Sequence, residues 1–321
     1  MVHFSGQFGF SALRLVRPTL EEAHRGLRCL MDGPEKEPAM RRSSRVEEQV
    51  ASFLAYGETI RLDPRRMVLA MEGERIISMA LWVPSPGRTA VLFLPPLKDH
   101  PAILPATQVA IEGAIADAAA AGAVLVQVMI DPPDTVTAAA CQHLNMIRLA
   151  VLHYMERRPP PNAPATQLPP EVRLESYSPA THALFRQAIL GSYEDTLDCP
   201  ALSSMREIED VMTGHRAVGA FDPNLWSVVM EGEKPIGCLL LADVPARRAL
   251  DVVYLGLTPQ ARGRGIARGL MQRVLAIGCR RGFDLMSLAV DGQNAPALKL
   301  YRRFGYGQVA QRVAWVKSIG G

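Results

Sequence analysis

At 321 residues the chain is long enough for two ordinary domains, and 48% hydrophobic with 21% charged content is globular, not disordered. A net charge of +3 with scattered arginines excludes a general attraction to nucleic acid. Five cysteines with no CxxC pair and seven histidines without ligand spacing argue for free thiols in a reducing compartment and against any metal site.

Residues 1–10 lack a charged start followed by a long apolar core, so they do not read as a signal peptide. The stretch from Val109 to Ile130 is broken by Glu112, Asp117 and Gln127, which makes it a helix followed by a strand and not a membrane span. A cytoplasmic protein without membrane partners is expected.

Residues 158–170 hold a proline-rich run that continues neither a helix nor a central strand. The two sides of it match at an offset of about 160 residues. Leu13–Thr19 parallels Val172–Ser178, Arg45–Val50 parallels Arg206–Val211, and the hairpin turn Met71–Arg75 parallels Met230–Lys234. Ala121-Gly122 before the strand Val124–Ile130 parallels Arg281-Gly282 before Leu285–Val290, and Leu144–Met146 parallels Phe304–Tyr306. Five matches in one order mean a duplication: a first domain over 1–158, a linker over 159–170 and a second domain over 171–321. Each domain reads as α/β, a mixed, mostly antiparallel sheet with helices on both faces. In the second, strands are predicted near 172–177, 225–230, 235–243, 250–257, 285–290 and 308–317, and helices near 179–193, 204–214, 265–281 and 295–303.

The copies differ after their fourth strand. In the second, Val252–Leu257 ends at Thr258-Pro259 and runs into the glycine-spaced basic turn Arg262-Gly263-Arg264-Gly265-Ile266-Ala267-Arg268, which opens a helix with Leu270, Val274 and Ile277 at helical spacing. Glycines permit close backbone approach, and a helix start offers free N–H groups and a positive dipole end, so the turn suits a diphosphate. In the first copy Ala90–Leu94 runs instead into Pro95–Pro101, where prolines lack the N–H groups a phosphate needs. That copy is expected to support the fold and to wall the acceptor pocket between the halves. Further on, Asn294 caps a helix with Pro296 in its first turn, Leu298 and Tyr301 on one face, and Gly305 as its C′ residue.

These two motifs resemble those of the GNAT acetyltransferase superfamily. Arg262, Gly265 and Ala267 match its coenzyme A loop, Q/R-x-x-G-x-G/A, and Asn294, Ala297, Tyr301, Gly305 and Tyr306 match N-x-x-A-x-x-x-Y-x-x-x-G-[FY]. The tandem layout, with the intact copy second, resembles the mycothiol synthases. The resemblance implies a degenerate first domain and a catalytic second one. It implies that Leu255, Gly256 and Leu257 offer backbone groups to pantetheine and the thioester, that residues 262–268 hold the diphosphate, and that Asn294 touches the pantetheine arm besides capping its helix. Gly256 on its own residue type marks a bulge or a close ligand approach.

Tyr301 is either a seam-filling aromatic or the general acid that protonates the departing thiolate; a phenol with a pKa near ~10 is matched to that task. Asp251, at the start of the key strand, is either a strand-end carboxylate in solvent or paired with Arg247 or Arg248, or, as family members suggest, the base, acting through water because its side chain is short. Tyr193, Glu194, Asp195 and Asp198 lie where the family places its acceptor loop, and their carboxylates are either solvated or hold a cationic amine. The expected activity is acetyl-CoA-dependent N-acetylation of a small-molecule amine by direct transfer in a ternary complex, with no metal. The alternatives are a protein or peptide acceptor, or a non-catalytic acyl-CoA-binding regulator.

Overall fold

A computed structural model describes residues 13–36, 43–59, 62–96 and 103–319. The segment 1–10 and residues 97–101 of the proline run lie outside them. The first half holds β1 (Leu13–Val16), α1 (Leu20–Asp32), α2 (Ser44–Thr59), β2 (Met67–Glu72), β3 (Arg75–Ser85), β4 (Thr89–Phe93), α3 (Ile103–Ala120), β5 (Leu125–Ile130), α4 (Thr135–His143) and β6 (Ile147–Arg157). The second half repeats that order: β7 (Val172–Ser176), α5 (His182–Tyr193), α6 (Ile208–Arg216), β8 (Trp226–Glu231), β9 (Lys234–Val244), β10 (Ala249–Leu257), α7 (Ile266–Arg280), β11 (Leu285–Asp291), α8 (Ala295–Arg303) and β12 (Gly307–Ser318).

The duplication extends to backbone detail. Both β2–β3 and β8–β9 are antiparallel hairpins with a register shift just before the turn, between Ala70 and Met71 and between Val229 and Met230. Their turn glycines, Gly73 and Gly232, share the left-handed conformation. Asn145 takes the same conformation at the place of Gly305. Each copy has one parallel pair, β4 with β5 and β10 with β11, each joined through a crossover helix. The expected mixed, mostly antiparallel α/β architecture is what the chain forms.

Compactness divides the chain into residues 1–148 with 313–321, and 149–312. These units differ from the two sequence halves because last strands are exchanged. Residues 152–157 of β6 pair antiparallel with β11 in the second unit, and Val313–Ser318 pair antiparallel with β5 in the first. The proline-rich segment is not a free tether. Its Gln167 N–H donates to Gln272 Oε1 at 3.0 Å and Leu168 packs against the second unit's core, while a Cβ on Gly269 of α7 would lie 2.3 Å from the Gln167 carbonyl oxygen.

The predicted second-half elements are all present. α5 begins later than expected because Ser178 and Thr181 bond each other in a turn ahead of it, and α6 begins later because Pro200 starts a separate 3₁₀ turn. The sheet of this unit is covered on both faces. Val229, Leu239 and Leu241 enter a core with α7 and α8, whereas Val228, Met230, Cys238 and Leu240 enter one with Phe185 and Ile189 of α5. Alternate strand side chains therefore both meet apolar partners, which explains the continuous apolar runs. Phe185 is fully buried between Tyr177 and Trp226, with ring centroids 5.3 and 5.9 Å away. Phe185→Ala is expected to destabilise the second unit by about 3–5 kcal/mol, read as a lower denaturation midpoint at unchanged m-value.

Candidate active site

β10 holds its register with β11 only from Ala249 to Val252, whereas β11 runs on beside β6 to Asp291. Past Val252 the two strands part, and a register shift against β9 falls between Val252 and Tyr254. This leaves the β11-side edge of residues 253–257 unpaired and opens a cavity of about 570 Å³ within the second unit. Leu255, Gly256 and Leu257 form part of its wall, with Arg262, Gly263, Gly265, Ile266, Ala267 and Arg268 at one end and Asn294 and Tyr301 along α8.

The glycine-rich turn is an N–H cradle. Gly263 and Gly265 have φ of +76° and +80°, and a Cβ on either would meet nothing within 4 Å. Gly265 is the N-cap of α7 and supplies no side-chain cap. Among the described residues, the amides from Gly263 through Arg268 find no backbone acceptor; the first of the helix to do so is Gly269, to the Gly265 carbonyl at 3.1 Å. A row of free donors at a helix N-terminus beside open space suits a diphosphate.

Two of the turn's arginine side chains are held by groups of the protein itself. Arg262 donates from Nε to the Leu257 carbonyl at 3.1 Å and from its terminal nitrogens to the carbonyls of Ser192, Glu194 and Asp195 at 3.2, 2.6 and 3.0 Å. Its guanidinium thus caps the C-terminus of α5 and ties the loop after it to the end of β10. Arg264 lies outside the cavity wall, paired with Glu171 at 2.8 Å and with Glu231. Cationic side chains that do line the cavity and bond to no described residue are Arg268, Lys299 and Arg303. The latter two were not singled out from sequence; their signal is the i, i+4 spacing of two cations on the helix Asn294 opens.

Tyr301 is 7% exposed and lines the cavity, and its hydroxyl donates no hydrogen bond to any described residue. Burial, and then the nearby charge of Asp198, push its phenol above the usual 10.0. Asn294 lines the cavity too, and its side chain accepts the Ala297 N–H at 3.2 Å, so it caps α8.

Asp251 is not brought to the wall. Its Oδ1 accepts a hydrogen bond from the Ser287 hydroxyl at 2.9 Å, in register across the parallel pair, and burial pushes its carboxyl up from 3.8. Neither arginine predicted for it takes it as a partner: Arg247 pairs with Glu156 and Arg248 with Asp284. Of the four acceptor-loop residues, Asp195 and Asp198 line the cavity, with Thr196 and Leu197 between them. Tyr193 and Glu194 do not. Tyr193 packs edge-on against Tyr254 in the α5 core, and Glu194 contributes its carbonyl to Arg262. Gly256 is required by neighbouring side chains: a Cβ there would lie 2.5 Å from Ser192 Oγ and 2.7 Å from the Tyr254 hydroxyl. Those two oxygens are 2.6 Å apart, and since the Ser192 hydroxyl donates to the Ile189 carbonyl, Tyr254 is the donor between them. Among the described residues no group of three or more histidines, cysteines, aspartates or glutamates is placed to hold a metal ion.

The acetyltransferase (GNAT) family profile matches residues 193–306, which span the loop after α5, the N–H cradle and Tyr301. Over that stretch the chain is similar to the GNAT family. The mycothiol acetyltransferase of Beutenbergia cavernae is 37% identical over 91 residues, 28% of this chain and 31% of that protein. That of Jonesia denitrificans is 27% identical over 92 residues, 29% of each. The matched stretch thus spans about three tenths of the length of these curated relatives. A GCN5-related N-acetyltransferase structure from Sphaerobacter thermophilus superposes over 96% of both chains with a TM-score of 0.56 at 19% identity, so the likeness in fold extends beyond residues 193–306. Among the described residues no helix is long and apolar enough to cross a membrane.

Proposed function

We propose that the protein is an acetyl-CoA-dependent N-acetyltransferase acting on a small-molecule amine by direct transfer in a ternary complex. The observation that carries this reading is the row of unpartnered amides from Gly263 through Arg268, at one end of a cavity that also holds the Tyr301 phenol. The cradle fits a diphosphate: a Cβ at Gly263 or Gly265 would stand in the open space beside the N–H row, and Arg268, Lys299 and Arg303 bring positive charge to the cavity. The unpaired edge of β10 fits the pantetheine arm, whose amides need backbone partners. Acetyl-CoA supplies the activated acyl group. The chain's residues then hold the donor, present Tyr301 as the acid that protonates the leaving thiolate, and receive the amine's proton. Asp251, bonded to Ser287 and off the cavity wall, can reach the acceptor only through water. The name of the relatives, mycothiol acetyltransferase, supports a small-molecule acceptor over a protein chain.

Thiol release from acetyl-CoA against a panel of primary amines tests the reading. Saturable, amine-dependent release is expected. Tight acetyl-CoA binding with no release for any amine would replace it with a regulator, and release with peptide amines alone would move the acceptor to proteins.

A further inference from the structure

The first part of the loop between α5 and α6, up to Cys199, is fastened at two points. At its start, the Arg262 guanidinium holds the carbonyls of Ser192, Glu194 and Asp195. Further along, two aspartates clasp reciprocally: Asp198 Oδ1 accepts the Asp291 N–H at 3.0 Å, and Asp291 Oδ2 accepts the Cys199 N–H at 3.2 Å. Asp291 closes β11 and its Oδ1 accepts the Gln293 N–H at 2.9 Å, one residue before the cap of the helix that carries Tyr301. Two non-glycine residues of the loop, Asp195 and Cys199, are held in the left-handed region at φ of 49° and 48°. Such conformations persist where surrounding bonds impose them, and they concentrate at functional sites. The fastening thus fixes the intervening residues, among them Asp198, in the wall of the cavity that Tyr301 also lines.

We infer that Asp198, presented by this doubly fastened loop, is the carboxylate that takes the proton from the acceptor amine, opposite Tyr301. The inference rests on the transfer reaction proposed above. Of the Asp198 oxygens only Oδ1 is engaged; Oδ2 accepts no hydrogen bond from any described residue. Asp251 is bonded to Ser287 and off the wall, so of these two carboxylates only Asp198 shares the cavity with the acid. In the reaction the N–C bond forms and the C–S bond breaks. The nitrogen's proton passes to Asp198 as that nitrogen becomes positive, and the phenol proton of Tyr301 passes to the leaving sulfur. Both groups are reset by exchange with water. Partial desolvation raises the Asp198 carboxyl above 3.8 although the residue keeps contact with solvent; the Asp291 N–H lowers it, and the Asp291 charge raises it by less. A raised carboxyl is a stronger base. The same negative charge raises Tyr301, keeping it protonated while Asp198 is ionised.

The pH dependence of kcat in the full-length protein, with acetyl-CoA and an amine from the active panel both saturating so that the free amine's own ionisation drops out, separates the two aspartates. Asp198→Asn is expected to lower kcat about 10²–10⁴-fold and to abolish the acidic limb, with acetyl-CoA affinity by calorimetry within about two-fold of wild type. Asp198→Glu keeps a carboxylate and is expected to restore the limb at reduced rate, which a loop disturbed by loss of the Asp291 bond would not do. In Asp251→Asn the limb is expected to stay in place, whatever the rate. A wild-type limb in Asp198→Asn, or a limb lost in Asp251→Asn alone, overturns the assignment while leaving the transferase intact. A wild-type protein that releases no thiol with any amine overturns the transfer reaction itself, and this inference with it.

Discussion

Tyr301→Phe is expected to lower kcat by about 10²–10⁴-fold, the range of a lost general acid, with acetyl-CoA affinity nearly unchanged. The ring is buried with Leu298 and Tyr306 in the core beneath the cavity, and phenylalanine refills that volume. Only the hydroxyl, which donates to no described residue, is removed, so stability and donor binding lose little and the chemical step loses its proton. The pH dependence has a defined sign. Burial and Asp198 raise the folded-state phenol, so its ionisation switches activity off only above the ordinary 10.0. The unfolded chain ionises at that ordinary value first, so the stability conferred by the neutral phenol is full below it and is lost as pH rises toward the folded value. Kinetics across pH in wild type and variant provide the check. Wild-type turnover in Tyr301→Phe would leave this residue only its packing role.

Gly265→Val should separate folding from donor binding. In the free protein a Cβ at this position has nothing within 4 Å, and the left-handed backbone, at φ +80°, costs a non-glycine residue about 1–2 kcal/mol. In the complex the same side chain stands where the diphosphate would meet the N–H row. Losing two charge-assisted hydrogen bonds at about 1.5–3 kcal/mol each weakens donor affinity by about 10²–10⁴-fold. Calorimetry with acetyl-CoA beside a thermal melt measures both quantities. A modest loss of stability with wild-type affinity would mean that the diphosphate lies elsewhere.

Both predictions rest on elements that sequence alone located. The repeat was legible because the turns at Gly73 and Gly232, at Gly122 and Gly282, and at Asn145 and Gly305 all need a left-handed backbone, which few residues accept. The N–H cradle was legible for the same reason, since glycines flanking a helix start announce both the approach and the free donors. Tyr301 was legible because it belongs to the motif that resembles the GNAT pattern, and helical spacing sets it beside Leu298.

The side-chain partners were not. The basic turn announced positive charge, yet Arg262 faces four carbonyls and Arg264 two carboxylates. Carbonyls belong to every residue and leave no mark in the sequence, so only the fold decides where several converge. Asp251 and Asp198 look alike as letters. The parallel register of β10 and β11 sets Asp251 against Ser287, while the clasp with Asp291 puts Asp198 in the cavity wall. Strand exchange was equally hidden, since an alternating strand fits any matching edge, and pattern does not name its neighbour. Local backbone demands, which act through a few residues, were therefore written in the sequence. Pairings between distant residues, β6 with β11 and Val313–Ser318 with β5, were decided by tertiary structure, because they depend on which edges and surfaces the folded chain leaves free to meet.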